Sequence, residues 1–376
     1  AGREICKMKD NPFLDDLFPD AFRARKGRVA RSFEYVPSTA AFRFSALSSR
    51  KKAEGVANNR TEVMLRIGPA NVKSYLHVIK TADYVARHGK IELRDQDGQV
   101  FFDKAAYRQK LYDWKILSAM GDGESKKGHV RRIILSMPSG TDVEKFKAGC
   151  NDWAKEMLSG FDYLIAFHTA ENDEKTTQPH CHILVRTLNK EGKRFHLDNG
   201  EFQAFREHFA SCLIRHGIEA NATRRWSRGR TEKAVSQAEH HVSKNRSLSN
   251  EDRARIYAMS KKRDLLRRQK SRIENVVSAS RRGKPIEDHP SIVKAKKTRK
   301  RVAELVSNAV EVLNSSDETD DRILAEKLSS RYKHLAPVES SEQRMLRELN
   351  EAKAKTIKRM QAMKKRQRKA DPIKYR

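Results

Sequence analysis

The sequence predicts an α+β domain, a central antiparallel sheet with flanking helices, followed by a mostly helical basic C-terminal region. Three observations predict it. From Thr61 the hydrophobic pattern runs strand, helix, hairpin, helix, strand, helix, strand, strand, helix. That order contains two hairpin connections and lacks the regular alternation of a parallel α/β fold. From about residue 231 Phe is absent, Gly and Pro are scarce, and Lys, Arg, Glu, Ala and Leu dominate. Three segments follow: an N-terminal extension over 1–60, the α+β domain over 61–230, and the basic helical region over 231–376.

The extension opens with a short apolar and acidic stretch from Pro12 to Phe22, then turns basic and Ser-rich with little periodicity. It is expected to be a partly disordered tail, a docking helix in the apolar stretch being the alternative. Val63 to Ile67 is the first strand, stopped by Gly68-Pro69. Val72, Leu76 and Ile79 recur at helical spacing, and that helix runs through Tyr84 to Arg87, with Gly89 as its stop. Ile91 to Arg94 and Val100 to Phe102, joined by Asp95-Gln96-Asp97-Gly98, form a hairpin. A helix over about 104–119 and a polar Gly-rich loop lead to a strand from Val130 to Met137. Thr141 with Glu144 fits a capping box for a helix ending near Leu158. Phe202 to His216 is amphipathic and ends at Gly217; a basic loop from Thr223 to Arg230 holds Trp226. Segments 250–277, 290–314, 320–332 and 338–368 read as helices.

Charge is unevenly placed. The chain of 376 residues carries a formal +30, and residues 223–376, with 42 basic and 20 acidic side chains, supply +22 of it. Such a surplus points to a polyanionic partner, most simply nucleic acid. The four cysteines are scattered without C-x-x-C spacing, which argues against a disulfide framework or zinc knuckle. No apolar run reaches the ~20 residues that span a bilayer, and no signal-peptide pattern is visible at the start.

The chemistry concentrates between Tyr163 and Val185. Alternate residues of a strand share a face. His180, His182 and Leu184 therefore lie on one face, and Cys181, Ile183 and Val185 on the other. In the preceding apolar run, Leu164, Ala166 and His168 share a face. If the two runs pair antiparallel around the polar insert 172–177, three imidazoles converge at one end of a sheet. Such a site holds a divalent metal with positions open for substrate; imidazoles alone leave zinc, manganese, iron, nickel and copper open. Beside a basic surface the natural target is a phosphodiester. Metal-bound water would make a nuclease, whereas a side-chain hydroxyl would make a transesterase. Tyrosine, with an ordinary pKa near 10, needs a base or the metal's field to attack, and composition does not choose among nine tyrosines.

Several pieces resemble a known family in its own order. Val63-Met64-Leu65-Arg66-Ile67 is similar to its opening strand. Ala82-Asp83-Tyr84-Val85-Ala86-Arg87-His88-Gly89-Lys90-Ile91-Glu92-Leu93 resembles the motif of its nucleophilic tyrosine. Ile133 to Pro138 with Gly140-Thr141-Asp142 resembles the strand and turn that follow. Ala166-Phe167-His168 with Pro179-His180-Cys181-His182-Ile183-Leu184-Val185 resembles its histidine motif, and Arg215-His216-Gly217-Ile218 and Ala238-Glu239-His240 its end. About half the chain, from Val63 to His241, thus resembles the VirD-type conjugative relaxases, single-tyrosine members of the HUH endonucleases.

The resemblance implies the HUH relaxase fold. Tyr84 would attack the scissile phosphate at the nick site, leaving a 5′-phosphotyrosyl link and a free 3′-hydroxyl. His168, His180 and His182 would hold Mg²⁺ or Mn²⁺. Many members carry an acid two residues after the first histidine; here Ala170 stands there, and Glu171 is expected to take the role. Arg87, Lys90, Arg131, Arg132 and Arg186 are candidate phosphate contacts. Arg224, Arg225, Trp226 and Arg228 combine stacking with phosphate-binding chemistry. Implied partners are single-stranded DNA at an origin of transfer, relaxosome accessory proteins and a type IV secretion coupling protein. The implied location is the bacterial cytoplasm, with translocation to a recipient cell. Two alternatives remain: an HUH replication initiator or transposase, without the Walker motif of the helicase-bearing kind, and a non-catalytic basic DNA-binding protein that keeps the fold.

Overall fold

The structure is a computed structural model. It describes residues 11–19, 47–68, 72–120, 123, 127–174, 176–195, 202–230 and 260–370. The helices are α1 (Pro12–Leu17), α2 (Ser49–Ala57), α3 (Tyr75–Val85), α4 (Lys104–Leu117), α5 (Val143–Met157), α6 (Phe202–Arg215), α7 (Ser260–Arg282), α8 (Pro290–Asn314), α9 (Thr319–Lys333) and α10 (Ser341–Ala370). The strands are β1 (Thr61–Glu62), β2 (Met64–Ile67), β3 (Leu93–Asp95), β4 (Val100–Phe101), β5 (Val130–Ser136), β6 (Tyr163–His168), β7 (His180–Arg186) and β8 (Ala220–Asn221).

Six strands form one sheet in the order β2-β5-β7-β6-β3-β4, antiparallel throughout. The α+β reading is correct. The sheet is central because apolar side chains leave both faces. Ile133, Leu135, Ile165, Cys181, Ile183 and Val185 join α5 and α6 in one core. Leu164, Ala166 and Leu184 join α3 and α4 in the other. This is the period-two partition expected from the sequence, and it puts the histidine face under α3. Polar termini are met locally. Asp142 caps α5, accepting from Lys145 N at 3.0 Å. The expected capping box on Thr141 is therefore displaced by one residue: Asp142 is the N-cap, and its carboxylate accepts from the third N–H of the helix. Trp153 Nε1 donates to the Phe205 carbonyl at 3.1 Å, locking α5 to α6.

The expectation of a tail over 1–60 needs correction where the extension is described. Leu14, Leu17 and Phe18 are buried, and α2 sits against them through Ser49 Oγ and Lys52 Nζ, which donate to the Phe18 and Pro19 carbonyls at 3.0 Å each. Lys52 also meets Glu207 of α6 at 2.8 Å with both side chains buried. Lys327 of α9 donates to Asn58 at 2.8 Å, and Arg50 pairs with Asp321.

Compactness does not follow the sequence boundary at 231. Residues 1–228 and 304–333 form one unit, and 229–303 with 334–376 form another. In the second, Ser280 and Asn350 hydrogen-bond at 3.0 Å between α7 and α10. Ser340 and Gln343 make a reciprocal capping box, 2.8 and 3.1 Å, at the start of α10. The stretch 250–259 of the first expected helix, and Ala238-Glu239-His240, lie outside the described residues.

Candidate active site

β6 and β7 pair with His168 opposite His180 and Ala166 opposite His182. The insert 172–177 leaves that register intact. One nitrogen from each of His168, His180 and His182 lies within 4.8 Å of the others, with ring centroids 4.9 to 5.2 Å apart. Pairing therefore builds the cluster: the two histidines of β7 share a face, and the partner strand ends on the third.

His168 is fully buried. Its Nδ1 lies 2.9 Å from Asp173 Oδ2 and its Nε2 2.8 Å from the Val85 carbonyl. Val85 ends α3, so this carbonyl is one of those a helix leaves without an internal partner. Both neighbours of the ring are acceptors, whereas a neutral imidazole has one N–H. Burial lowers the His168 pKa, although the Asp173 bond opposes it. One side of the ring thus faces lone pair to lone pair, which suits a cation. His182 is driven harder: burial, then the neighbouring His168 and His180, push it down to about 2. Its Nδ1 is buried without a hydrogen-bond partner. His180 Nδ1 faces the Gln178 carbonyl at 3.0 Å, which orients its ring. Three imidazoles, one with an orphaned nitrogen and two held by oxygens, fit a divalent metal.

The carboxylate against His168 is Asp173, not Glu171. Asp173 is 5% exposed and its Oδ2 also accepts from Arg87 Nε and Nη2 at 3.1 and 2.7 Å. Glu171 is exposed. The hairpin loop turns through Thr169, whose carbonyl accepts from Asp173 N at 2.9 Å, and this brings the fifth residue after His168, not the third, back onto the ring. Sequence reasoning missed Asp173; an acid within the loop closing the histidine hairpin is the signal that marks it.

Tyr84 stands in the last turn of α3, 52% exposed. Its ring meets His182 edge-on at 6.3 Å. The guanidinium carbons of Arg87 and Arg132 lie 5.2 and 5.8 Å from its centroid. Arg87 reaches back because the chain reverses sharply after the helix: Arg87, His88 and Gly89 have φ of 47°, 60° and 91°. Two successive non-glycine residues in this region are uncommon and strained. At Gly89 only glycine fits, since a Cβ would also press on Lys104 N at 3.2 Å. Below Tyr84, buried Asp83 accepts from Tyr107 Oη and Arg108 Nη2, each at 2.7 Å, tying α3 to α4.

The other expected contacts divide. Arg87 and Arg132 flank Tyr84. Lys90 is exposed one turn on, and Arg131 is half-buried, donating to the Gly68 carbonyl at 3.3 Å. Arg186 is not a surface phosphate contact: it is 1% exposed and pairs with Asp162 at 2.6 Å. It shares the face of His182 and Leu184 but at the far end of β7, where Asp162 neutralises it. In the basic loop Arg225 is exposed while Arg224 and Trp226 are half-buried. Arg228 pairs with Glu62 at 3.5 Å and the Ser227 carbonyl accepts from Tyr332, so that loop's contacts run to β1 and α9.

Residues 93–218 match the family described as relaxase, MobA/VirD2-like, nuclease domain. The match takes in all three histidines and Asp173 and begins nine residues after Tyr84. The chain is similar to the T-DNA border endonuclease VirD2 of Rhizobium radiobacter, 29% identical over 48% of this chain and 46% of that protein. The VirD2 proteins of Agrobacterium fabrum and Rhizobium rhizogenes are each 28% identical over 48% of this chain and 44% and 45% of theirs. The chain spans about half the length of the curated relatives it matches.

Proposed function

We propose that this chain is a VirD-type relaxase, a reading supported by the match of residues 93–218 to the relaxase nuclease domain and by its similarity to VirD2, and that it nicks one strand of DNA by tyrosine transesterification and carries the cut strand on Tyr84. The observation that carries the reading is three imidazole nitrogens, one from each histidine, within 4.8 Å of one another beside an exposed tyrosine. The proposed substrate is single-stranded DNA at an origin of transfer.

His168, His180 and His182 would hold the metal, Mg²⁺ or Mn²⁺. A divalent ion held by these three side chains would supply Lewis-acid polarisation of a phosphate oxygen and offset the charge that develops in the transition state. Asp173 fixes the His168 ring and, through Arg87, ties it to the tyrosine. Arg87 and Arg132 present guanidinium groups where the phosphate must lie to meet the Tyr84 ring, a role their planar donors suit. Tyr84 Oη forms the new bond to phosphorus while the bond from phosphorus to the 3′ oxygen breaks. The phenol loses its proton and the 3′ oxygen takes one up. The phosphodiester energy is kept in the phosphotyrosyl link, so the reverse reaction rejoins the strand. The helix C-terminus also matters: its carbonyl end carries partial negative charge and faces the cation site through Val85.

The same reading makes the chain the pilot of the strand in conjugative transfer, acting in the bacterial cytoplasm and then crossing to a recipient cell. Its basic region would meet DNA, accessory proteins or a type IV secretion coupling protein. The test is incubation with oligonucleotides covering candidate origins of transfer, with Mn²⁺ or Mg²⁺, with chelator, and with Tyr84→Phe. A nick that needs both metal and Tyr84 supports the reading. A nick that survives Tyr84→Phe makes the chain a water-using nuclease or one that attacks through another tyrosine. Tight binding to the right origin without any nick makes it a binding protein.

A further inference from the structure

Among the described residues a second group of ligating side chains converges away from the histidine triad: Glu156 of α5 with His208 and Cys212 of α6. It lies on the opposite side of the sheet, in the layer where α5 and α6 pack together. Gly149 brings those helices close, since a Cβ there would meet Leu213 Cδ2 at 2.8 Å and its Cα at 3.3 Å. His208 and Cys212 are four apart on one helix, hence on one face, and both are fully buried. Glu156 reaches them from the facing helix with its side chain 28% exposed, which leaves a path from solvent.

The distances are those of a coordination shell rather than of apolar packing. Glu156 Oε2 lies 2.7 Å from His208 Nε2. Cys212 Sγ lies 3.7 Å from His208 Nε2 and 3.9 Å from Glu156 Oε2. Zinc bound at its usual distances to sulfur, nitrogen and oxygen in a tetrahedron separates such ligands by about 3.4–3.6 Å. Two edges of the triangle are within a few tenths of that value, and the third opens when an ion replaces the hydrogen bond. The existing cation at this cluster is Arg215, whose Nη2 contacts Glu156 Oε1 at 2.6 Å, Cys212 Sγ at 3.3 Å and Asp152 Oδ2 at 3.4 Å. Asp152, one turn before Glu156 and also held by His216 at 2.8 Å, is within Arg215's reach. The cluster is thus already arranged around positive charge.

We propose that Glu156, His208 and Cys212 form a second metal site, for Zn²⁺ or a similar borderline-soft divalent ion, that clasps α5 to α6. The mixed nitrogen, sulfur and oxygen donors select such an ion over Mg²⁺, which takes oxygen. This site shares no residue with the triad and stands whether or not the chain nicks DNA.

The test is titration of the full chain, freed of metal, with Co²⁺ as a spectroscopic substitute. A thiolate ligand gives an intense sulfur-to-cobalt charge-transfer band that an all-histidine site cannot give. The expected result is that band at one equivalent, displaced by Zn²⁺, lost in Cys212→Ser and lost or greatly weakened in His208→Gln. It persists in His180→Ala, where the triad is broken. Co²⁺ binding without the band in the unaltered chain overturns the site, as does a band that survives both Cys212→Ser and His208→Gln. Should Cys212→Ser fail to fold, His208→Gln, which keeps the thiol, decides alone.

Discussion

Replacing Asp173 by Asn removes one negative charge from the point where His168 and the tyrosine's arginine meet. Its Oδ2 faces His168 Nδ1 at 2.9 Å and accepts from Arg87 at 2.7 and 3.1 Å. The amide keeps the shape but weakens both contacts, and its nitrogen presents a donor where both neighbours can donate. Partners that orient a ligating histidine typically cost ~10–100-fold in metal affinity or activity when changed, which is about 1.4–2.7 kcal/mol. The half-saturating Mn²⁺ concentration for nicking should rise by roughly that factor, and a loss should persist at saturating metal because Arg87 is released from its position over Tyr84. The assay is nicking of an origin oligonucleotide across a metal series, with thermal melting of each variant to separate misfolding from lost orientation. Glu171→Gln, on an exposed loop carboxylate, is the control and should match the unaltered chain. A folded Asp173→Asn with an unchanged metal series, beside a Glu171→Gln that loses activity, refutes the reasoning.

Other outcomes follow from the same geometry. Lys52→Met should lower thermal stability by about 3–5 kcal/mol by stranding buried Glu207, and the double change with Glu207→Leu should recover much of it on melting. Burial alone would raise the Asp83 pKa, but the Arg108 and Tyr107 hydrogen bonds outweigh it and hold it below its ordinary value. Its stabilising contribution is therefore present above the unfolded value, about 3.9, and lost as pH falls through the folded one. The stability lead of the unaltered chain over Asp83→Asn should shrink in acid, measured by denaturant midpoints down a pH series. Chelation should abolish nicking while leaving binding of the basic surface to DNA, read by gel shift, in place; joint loss of both would tie the metal to folding instead.

Much of this was visible in the residues, for identifiable reasons. A period of two divides β6 and β7 without reference to anything distant, so the face shared by His168, His180 and His182 could be assigned in advance. Helix α8 was equally legible because Asn314-Ser315-Ser316 and Pro290 punctuate it. What escaped depends on closure of the chain in space. Asp173 reaches His168 through a turn whose hydrogen bonds sequence spacing does not announce. Arg186 looked like a free cation because Asp162, its partner, is 24 residues earlier in the chain and meets it only once β6 and β7 pair. The helix α1 is only six residues, too short for periodicity; it is held by burial of Leu14 and Leu17 rather than by propensity. Composition also hid the membership of 304–333 in the first unit, since contacts such as Lys327 to Asn58 join positions far apart in the chain.

The most direct test of the central claim is to trap the cleaved product of an origin oligonucleotide with Mn²⁺, digest the protein, and map the peptide that carries nucleotide by mass spectrometry. The expected peptide contains Tyr84, modified on its phenolic oxygen through a 5′ phosphate, and no adduct forms with Tyr84→Phe or His182→Ala. An adduct on another tyrosine, or a cut strand with a free 5′ phosphate and unmodified protein, would contradict it.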